Sequence, residues 1–369
     1  MKVLVRSKVR PEAFPTGSPM SVWSGFFQLA DKESSGQIRK VLFLLALFLV
    51  FGAASTAHTT GYNFTTIDFP GASSTYATGI NNSGDIVGYY TDTNNTGGGF
   101  LYAGGAFTTI DFPGASETEA YGINNSGDIV GYYVRPKGGG GFLYAGGTFT
   151  TVDFPGASST YPSGINDSGD IVGYYGYYLG TALRGLYGFL YAGGHFSMID
   201  FLVHGVYGAS STLPYGINNS GDIVGFYKRT RAPVYPPSAT SGGGFLYAGG
   251  TFSTIDFPGA SSTTYPSGIN NSGDIVGYYV GVNTSSGFLY TGGSFSTIDF
   301  PGASSTYLSG INDSGDIVGY YTDTNGYIHG FLASPSTGAS IAPESVNFGN
   351  VTAGQYRDRR LDITLFMAR

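Results

Sequence analysis

The tripeptide Gly-Ile-Asn recurs six times in this chain, at Gly79, Gly122, Gly164, Gly216, Gly268 and Gly310, with gaps of 43, 42, 52, 52 and 42 residues. A period of this size marks one supersecondary unit stacked on copies of itself, because a single unit cannot bury its own apolar face. Each unit holds four short strand candidates, the length and strand count of a propeller blade. The fold class expected is therefore all-β, a six-bladed β-propeller.

In the first unit, strand A is expected over Tyr76 to Asn81, strand B over Asp85 to Tyr90, strand C over Gly99 to Tyr102 and strand D over Phe107 to Phe112. Asn-Ser-Gly between A and B and Ala-Gly-Gly between C and D supply the positive φ that short hairpins need. The repeats begin with a D-type strand, Phe64 to Phe69, and end with A, B and C, the last at Gly330 to Ala333. If the N-terminal strand completes the last blade, the ring is closed and loses its open edge.

Composition agrees with short aromatic strands on glycine turns: 61 Gly, 30 Tyr and 27 Phe against only 11% charged residues. Over residues 58 to 356 there are 19 carboxylates and six basic side chains, a net of −13, which repels nucleic acid and anionic membrane surfaces. No nucleic-acid partner is expected.

Arg39 and Lys40 precede an apolar run from Val41 to Ala54, followed by Ser55, Thr56 and Ala57. This is the layout of a secretory signal, and its 14 residues fall short of the roughly 20 that span a bilayer. Residues 1–57 are expected to be a leader, with cleavage after Ala57, no stable membrane insertion afterwards and a secreted or cell-surface location. An uncleaved anchor is the alternative. Translation from Met20 would shorten the long segment ahead of the apolar run. The chain has no Cys, so export brings no disulfide, and stability must come from packing and ring closure.

The pattern Gly-Ile-Asn-x-x-Gly-x-Ile-Val-Gly with a following Phe-Leu-Tyr resembles the bacterial extracellular repeats named for a His-Ala-Phe motif, over roughly residues 62 to 333. Only His329-Gly330-Phe331 keeps the His; elsewhere the position reads mostly Gly-Gly-Phe or Ser-Gly-Phe. The resemblance implies export and no particular reaction. The segment from Ile341 to Gly354 resembles the first strands of a Hydin-like immunoglobulin-like domain, and about 15 residues follow it, where such a sandwich needs roughly 100. Residues 336–369 are accordingly expected to be a linker and a truncated segment after a ring over 58–335.

The repeated acids divide into two sets. Asp85, Asp128, Asp170, Asp222, Asp274 and Asp316 follow the A–B turn, whose few residues run straight into Ile-Val and do not make a twelve-residue calcium loop; turn capping is expected. Asp68, Asp111, Asp153, Asp200, Asp256 and Asp299 are expected in the outer strand as charges that discourage edge pairing. Six equivalent carboxylates offer no unequal catalytic pair. His58, His195, His204 and His329 sit at unrelated repeat positions without zinc or triad spacing, so no metal, cofactor or catalytic residue is assigned.

The Tyr doublets such as Tyr89-Tyr90 and Tyr132-Tyr133 send their two members to opposite blade faces, which reads as packing between blades, with sugar stacking as the rival. A less regular pattern concerns the B–C and D–A connections, which share one face of the ring. The insertions Gly176 to Tyr187, Leu202 to Leu213 and Lys228 to Ser241 all fall there in one sector, expected as loops. So do Arg135, Lys137, Arg184, Lys228, Arg229 and Arg231. With Tyr177, Tyr178, Tyr187, Tyr207 and Tyr235 as platforms, this sector is the candidate ligand-binding region, its expected partner an anionic glycan or an acidic protein surface. The expected function is a non-catalytic interaction module, an adhesin or glycan binder. An exported hydrolase of extracellular polysaccharide and a purely structural repeat protein are the alternatives.

Overall fold

The computed structural model describes residues 61–336, apart from 95, 137, 180–181, 202–208, 230–240, 259, 261–262 and 283. The leader over 1–57, with its apolar run 41–54, and the immunoglobulin-like segment lie outside the described residues.

The described chain is all strand and turn. Blade one comprises β2 (Ser74–Ile80), β3 (Ile86–Thr91), β4 (Gly97–Ala103) and β5 (Ala106–Ile110), with β1 (Tyr62–Ile67) ahead of it. Blade two is β6 (Glu117–Ile123), β7 (Ile129–Arg135), β8 (Gly138–Ala145) and β9 (Thr148–Thr151). Blade three is β10 (Ser159–Ile165), β11 (Ile171–Leu179), β12 (Ala182–Ala192) and β13 (His195–Ile199). Blade four is β14 (Ala209–Ile217), β15 (Ile223–Arg229), β16 (Ser241–Ala248) and β17 (Thr251–Ile255). Blade five is β18 (Thr264–Ile269), β19 (Ile275–Val280), β20 (Ser285–Thr291) and β21 (Ser294–Thr297). The chain closes with β22 (Ser305–Ile311), β23 (Ile317–Thr322) and β24 (Ile328–Pro335).

Blade six is completed from the other end of the chain: β1 runs antiparallel to β24, with Phe64 opposite Ala333 and Ile67 opposite Gly330. The protein is thus a six-bladed β-propeller closed by its N-terminal strand, as the staggered repeats imply. Single parallel bridges, Ser74 to Ile328 and Leu186 to Ser211, also stitch blade six to blade one and blade three to blade four.

Each blade carries the same core. Phe100, Phe142, Phe189, Phe245, Phe288 and Phe331 on the third strands are fully buried, and hiding a side chain of that size stabilises the fold by about 1.5–3 kcal/mol. The second Tyr of each doublet packs between blades: Tyr90 stacks on Phe69 at 3.8 Å, Tyr133 on Phe112 at 3.8 Å and Tyr321 on Phe300 at 3.7 Å.

Two local expectations are corrected. The acids at Asp153 and Asp299 lie just past their strands and fold inward, each accepting a hydrogen bond from a third-strand amide, Gly141 at 3.1 Å and Gly287 at 3.0 Å. They can do so because the neighbouring third-strand residue is small: a Cβ on Gly140 would stand 2.5 Å from the Asp153 carboxylate. They are internal anchors of the blade, and burial raises both carboxyls above their ordinary value against the lowering effect of those bonds. Second, the insertion in blade three is a strand extension, with Tyr177 opposite Gly185 and Leu179 opposite Ala182 after a bulge at Tyr177/Tyr178. Alternation continues through Gly176 and β-prone tyrosines, so the ladder does too.

Candidate binding site

The axis of the ring is built in three layers, from the first strand of each blade, the turn after it and the second strand. At the A–B end, Asn81 is 4% exposed, and its Oδ1 accepts from the amides of Ser83 at 3.0 Å and Asp85 at 2.9 Å. Its Nδ2 donates across to the Asn124 carbonyl at 3.3 Å. The same bond runs from Asn124 to Asn166, Asn166 to Asn218, Asn218 to Asn270, Asn270 to Asn312, and from Asn312 back to Asn81 at 3.2 Å. The turn is therefore capped chiefly by the buried Asn, and Asp85 accepts from that amide at 3.2 Å.

A second circle lies outside the first, at the mouth. The backbone amides of Asn82, Asn125, Asp167, Asn219, Asn271 and Asp313 each donate to the side-chain oxygen of the next member, at 2.8 to 2.9 Å. The two carboxylates stand three blades apart. Asp167 accepts the amides of Asn125 and Asn219, and Asp313 those of Asn82 and Asn271. These bonds, led by the backbone amides of Asn125 and Asn271, hold both carboxyls below their ordinary value despite partial burial. An open cavity of about 70 Å³ is lined by these turns.

The middle layer is the glycine of Gly-Ile-Asn. A Cβ on Gly79 would stand 2.8 Å from the Tyr121 carbonyl, and one on Gly164 would stand 2.7 Å from that of Tyr215. Backbone therefore packs on backbone around the axis, and the repeat requires Gly there.

The third layer lies toward the B–C and D–A connections, at the start of the first strands and the end of the second. Tyr76 stacks on Tyr89 at 4.6 Å within blade one, and Tyr89 meets Tyr121 of blade two edge-on at 6.1 Å. Tyr132 stacks on Tyr161 at 4.4 Å, Tyr161 on Tyr174 at 4.9 Å, and Tyr174 meets Tyr215 at 6.4 Å. Phe226 meets Tyr265 at 4.7 Å and Tyr265 stacks on Tyr278 at 4.7 Å. Tyr278 meets Tyr307 at 4.9 Å, Tyr307 stacks on Tyr320 at 4.7 Å, and Tyr320 returns to Tyr76 at 5.0 Å. The aromatic circle visits every blade in order, and each ring in it is half-buried, with part of its surface left to solvent.

Two blades break the symmetry. Where blade one has Tyr76, blade two has Glu119, opposite Tyr132, and blade four has Leu213, opposite Phe226. In those same blades the residue two positions on is Tyr121 or Tyr215, where other copies have Thr78, Ser163 or Ser267. The Tyr121 hydroxyl donates to Glu119 Oε2. Burial raises the Glu119 carboxyl above its ordinary value, the Tyr121 bond opposes the shift, and the Glu117 charge adds to it. Burial likewise pushes the Tyr174 phenol up to about 12, and raises Tyr121 and Tyr215 well above the ordinary range.

The basic sector expected from the sequence is brought together only in part. Arg135 closes β7 with its guanidinium 4.8 Å over Phe112 and 5.1 Å over Tyr133, and it donates to the Pro113 carbonyl at 2.7 Å. It clamps two blades. Tyr177 and Tyr187 do meet, at 6.2 Å, joined by Tyr175 at 5.5 and 5.7 Å. Lys228 is exposed near the end of β15. Tyr178, Arg184 and Arg229 are on strands rather than in loops, because the second and third strands run further than expected. Lys137, Arg231, Tyr207 and Tyr235 lie outside the described residues. Sequence reasoning passed over Glu119; the signal was Thr118-Glu119-Ala120-Tyr121 standing where the first copy reads Thr75-Tyr76-Ala77-Thr78.

No family model matches the chain, and no curated protein matches it. Among solved structures it is similar to an arginine-to-alanine triple mutant of AofleA from Arthrobotrys oligospora, at 16% identity and a TM-score of 0.43 over 74% of this chain and 86% of that one. It is similar also to the β-propeller domain of the Trilobed protease from Pyrococcus furiosus, at 10% identity and a TM-score of 0.40 over 70% and 95%. A third is the fucose-specific lectin from Aleuria aurantia, at 13% identity and a TM-score of 0.37 over 75% and 100%. No residue role is carried over from any of them.

Proposed function

We propose that the ring is a non-catalytic binding module that takes a glycan against the axial tyrosines on its loop face, and that it works outside the cell as a secreted or surface-associated protein. The observation that carries this reading is the set of half-buried aromatic rings that every blade contributes around the axis. Sugar rings present C–H faces that stack on aromatic faces and hydroxyls that pair with phenols, and Tyr supplies both at low conformational cost. The secretory leader and the resemblance to the His-Ala-Phe extracellular repeats belong to the same proposal.

The test is titration of the purified chain with a panel of soluble oligosaccharides, beside Tyr278→Ala. Binding by the parent that is lost in the variant, with the fold intact by circular dichroism, supports the reading. Absence of binding to every sugar overturns it.

A second reading, an exported hydrolase acting on extracellular polysaccharide, is favoured by Glu119, whose raised carboxyl suits a general acid, with Glu117 on the same strand. Release of reducing ends from a bound polysaccharide would favour it over binding alone. An anionic glycan on the loop sector of blades two to four has exposed Lys228 in its support. Arg135 is already engaged with Phe112, Tyr133 and Pro113, so the proposal centres on the axis.

A further inference from the structure

Glu119 and Glu117 are the only glutamates within the described residues. Glu119 projects from the innermost strand of blade two into the tyrosine circle. Its hydrogen-bond donor there is the Tyr121 hydroxyl, and among the described residues no basic side chain is paired with it. Its charge is felt by Tyr76 and Tyr89 of blade one and by Tyr174 of blade three, whose phenols are raised first by burial and further by this carboxylate. The acid is thus held among ring systems of three consecutive blades.

A half-buried carboxylate without a countercharge is costly, and phenol rings cannot neutralise it. Their faces carry negative quadrupole charge that attracts a cation. A cluster of aromatic rings with one carboxylate is therefore complementary to an ammonium group: the carboxylate supplies charge-assisted hydrogen bonds while the faces supply cation–π attraction. The opposite is true of an anionic sugar, which would meet Glu119 as a like charge.

Building on the glycan reading of the tyrosine layer, we infer that the sugar seated beside Glu119 is an amino sugar with a free, protonated amine. The amine donates to Glu119, its C–H face lies on Tyr89 or Tyr121, and an N-acetyl group at that position removes both the charge and two of the donors. Recognition is by ion pairing and stacking, with no covalent step.

The experiment is calorimetric titration of the full chain with three probes of equal length: β-1,4-linked glucosamine tetramer, its fully N-acetylated form, and cellotetraose, all at a pH where the free amine is protonated. The expected result is binding of the glucosamine tetramer about tenfold or more tighter than the other two, matching a charge-assisted contact strengthened by cation–π attraction. Glu119→Gln, which keeps the shape, should erase that preference and bring the three probes to similar affinity. In the parent chain the preference should also fall as the pH is raised through loss of the sugar's ammonium proton, a readout that needs no variant should Glu119→Gln misfold. Equal affinity for all three probes, or a preference that survives Glu119→Gln, overturns the ammonium inference and leaves the glycan reading standing. Binding of none of the three, extended to the wider sugar panel, overturns both.

Discussion

Asn312 donates from its side chain to the backbone carbonyl of Asn81, 231 residues away in sequence, at 3.2 Å. This bond is the sixth of a circle whose other five join neighbours in chain order, so it marks where the ring shuts. Both groups are buried, and breaking the bond leaves a donor or acceptor without water. Asn312→Leu also removes the cap of its own turn, since Oδ1 accepts from Ser314 at 3.0 Å and Asp316 at 2.9 Å. A loss of about 1–3 kcal/mol in denaturant unfolding is expected, with the value for Asn81→Leu similar because Asn81 makes the same bonds to its own turn and to Asn124.

The glycine layer should be intolerant. At Gly164 a methyl would meet the Tyr215 carbonyl at 2.7 Å, and neither backbone can retreat without moving a blade. Gly164→Ala is expected to cost about 1–3 kcal/mol, read by thermal unfolding, the scale of overpacking in a filled core.

The propeller was legible in the sequence for a physical reason: each turn is specified locally, by Asn-x-Ser-Gly with Gly84 and its equivalents at φ near 80°, and copies of a local rule repeat visibly. Closure was legible too, because the leftover D-type strand read at Phe64 to Phe69, which forms as Tyr62–Ile67, and the missing one in blade six are complementary. What could not be read was which polar groups turn inward. Asp153 looks like any edge acid until the third-strand Gly140 gives it room, and Arg135 looks like a free loop cation until Phe112, from the turn after β5, and Tyr133, from its own strand, lie beneath it. The axial tyrosines read first as packing because they come from the symmetric part of the repeat; the exceptions at Glu119 and Leu213 are the part that a comparison of copies reveals.

The mouth circle gives stability a pH dependence of definite sign. Asp167 and Asp313 have carboxyls lowered in the folded state by amide donors, so their contribution is fully present above the ordinary carboxylate value and is lost as the pH falls through the folded one. Glu119 acts oppositely, its raised carboxyl favouring the fold at low pH and losing that contribution as the pH rises through the folded value. In melting temperature against pH, Asp313→Asn should flatten the acid side of the profile, and Glu119→Gln should flatten the part just above the ordinary glutamate range.

Arg135→Ala separates packing from ligand recognition. The guanidinium lies over two rings and bonds to Pro113, so its removal should lower stability by about 0.5–2 kcal/mol in denaturant unfolding. Sugar affinity should stay within twofold of the parent, because none of these contacts reaches the axis. A large loss of affinity would return the site to the outer sector.

The central claim is that the tyrosine circle is the ligand site, and its most direct measurement is calorimetric titration of one bound oligosaccharide against the parent chain, Tyr278→Ala and Arg135→Ala side by side. The account predicts binding to the parent and to Arg135→Ala and its loss in Tyr278→Ala, with all three folded by circular dichroism. Undiminished binding in Tyr278→Ala, or loss confined to Arg135→Ala, would contradict it.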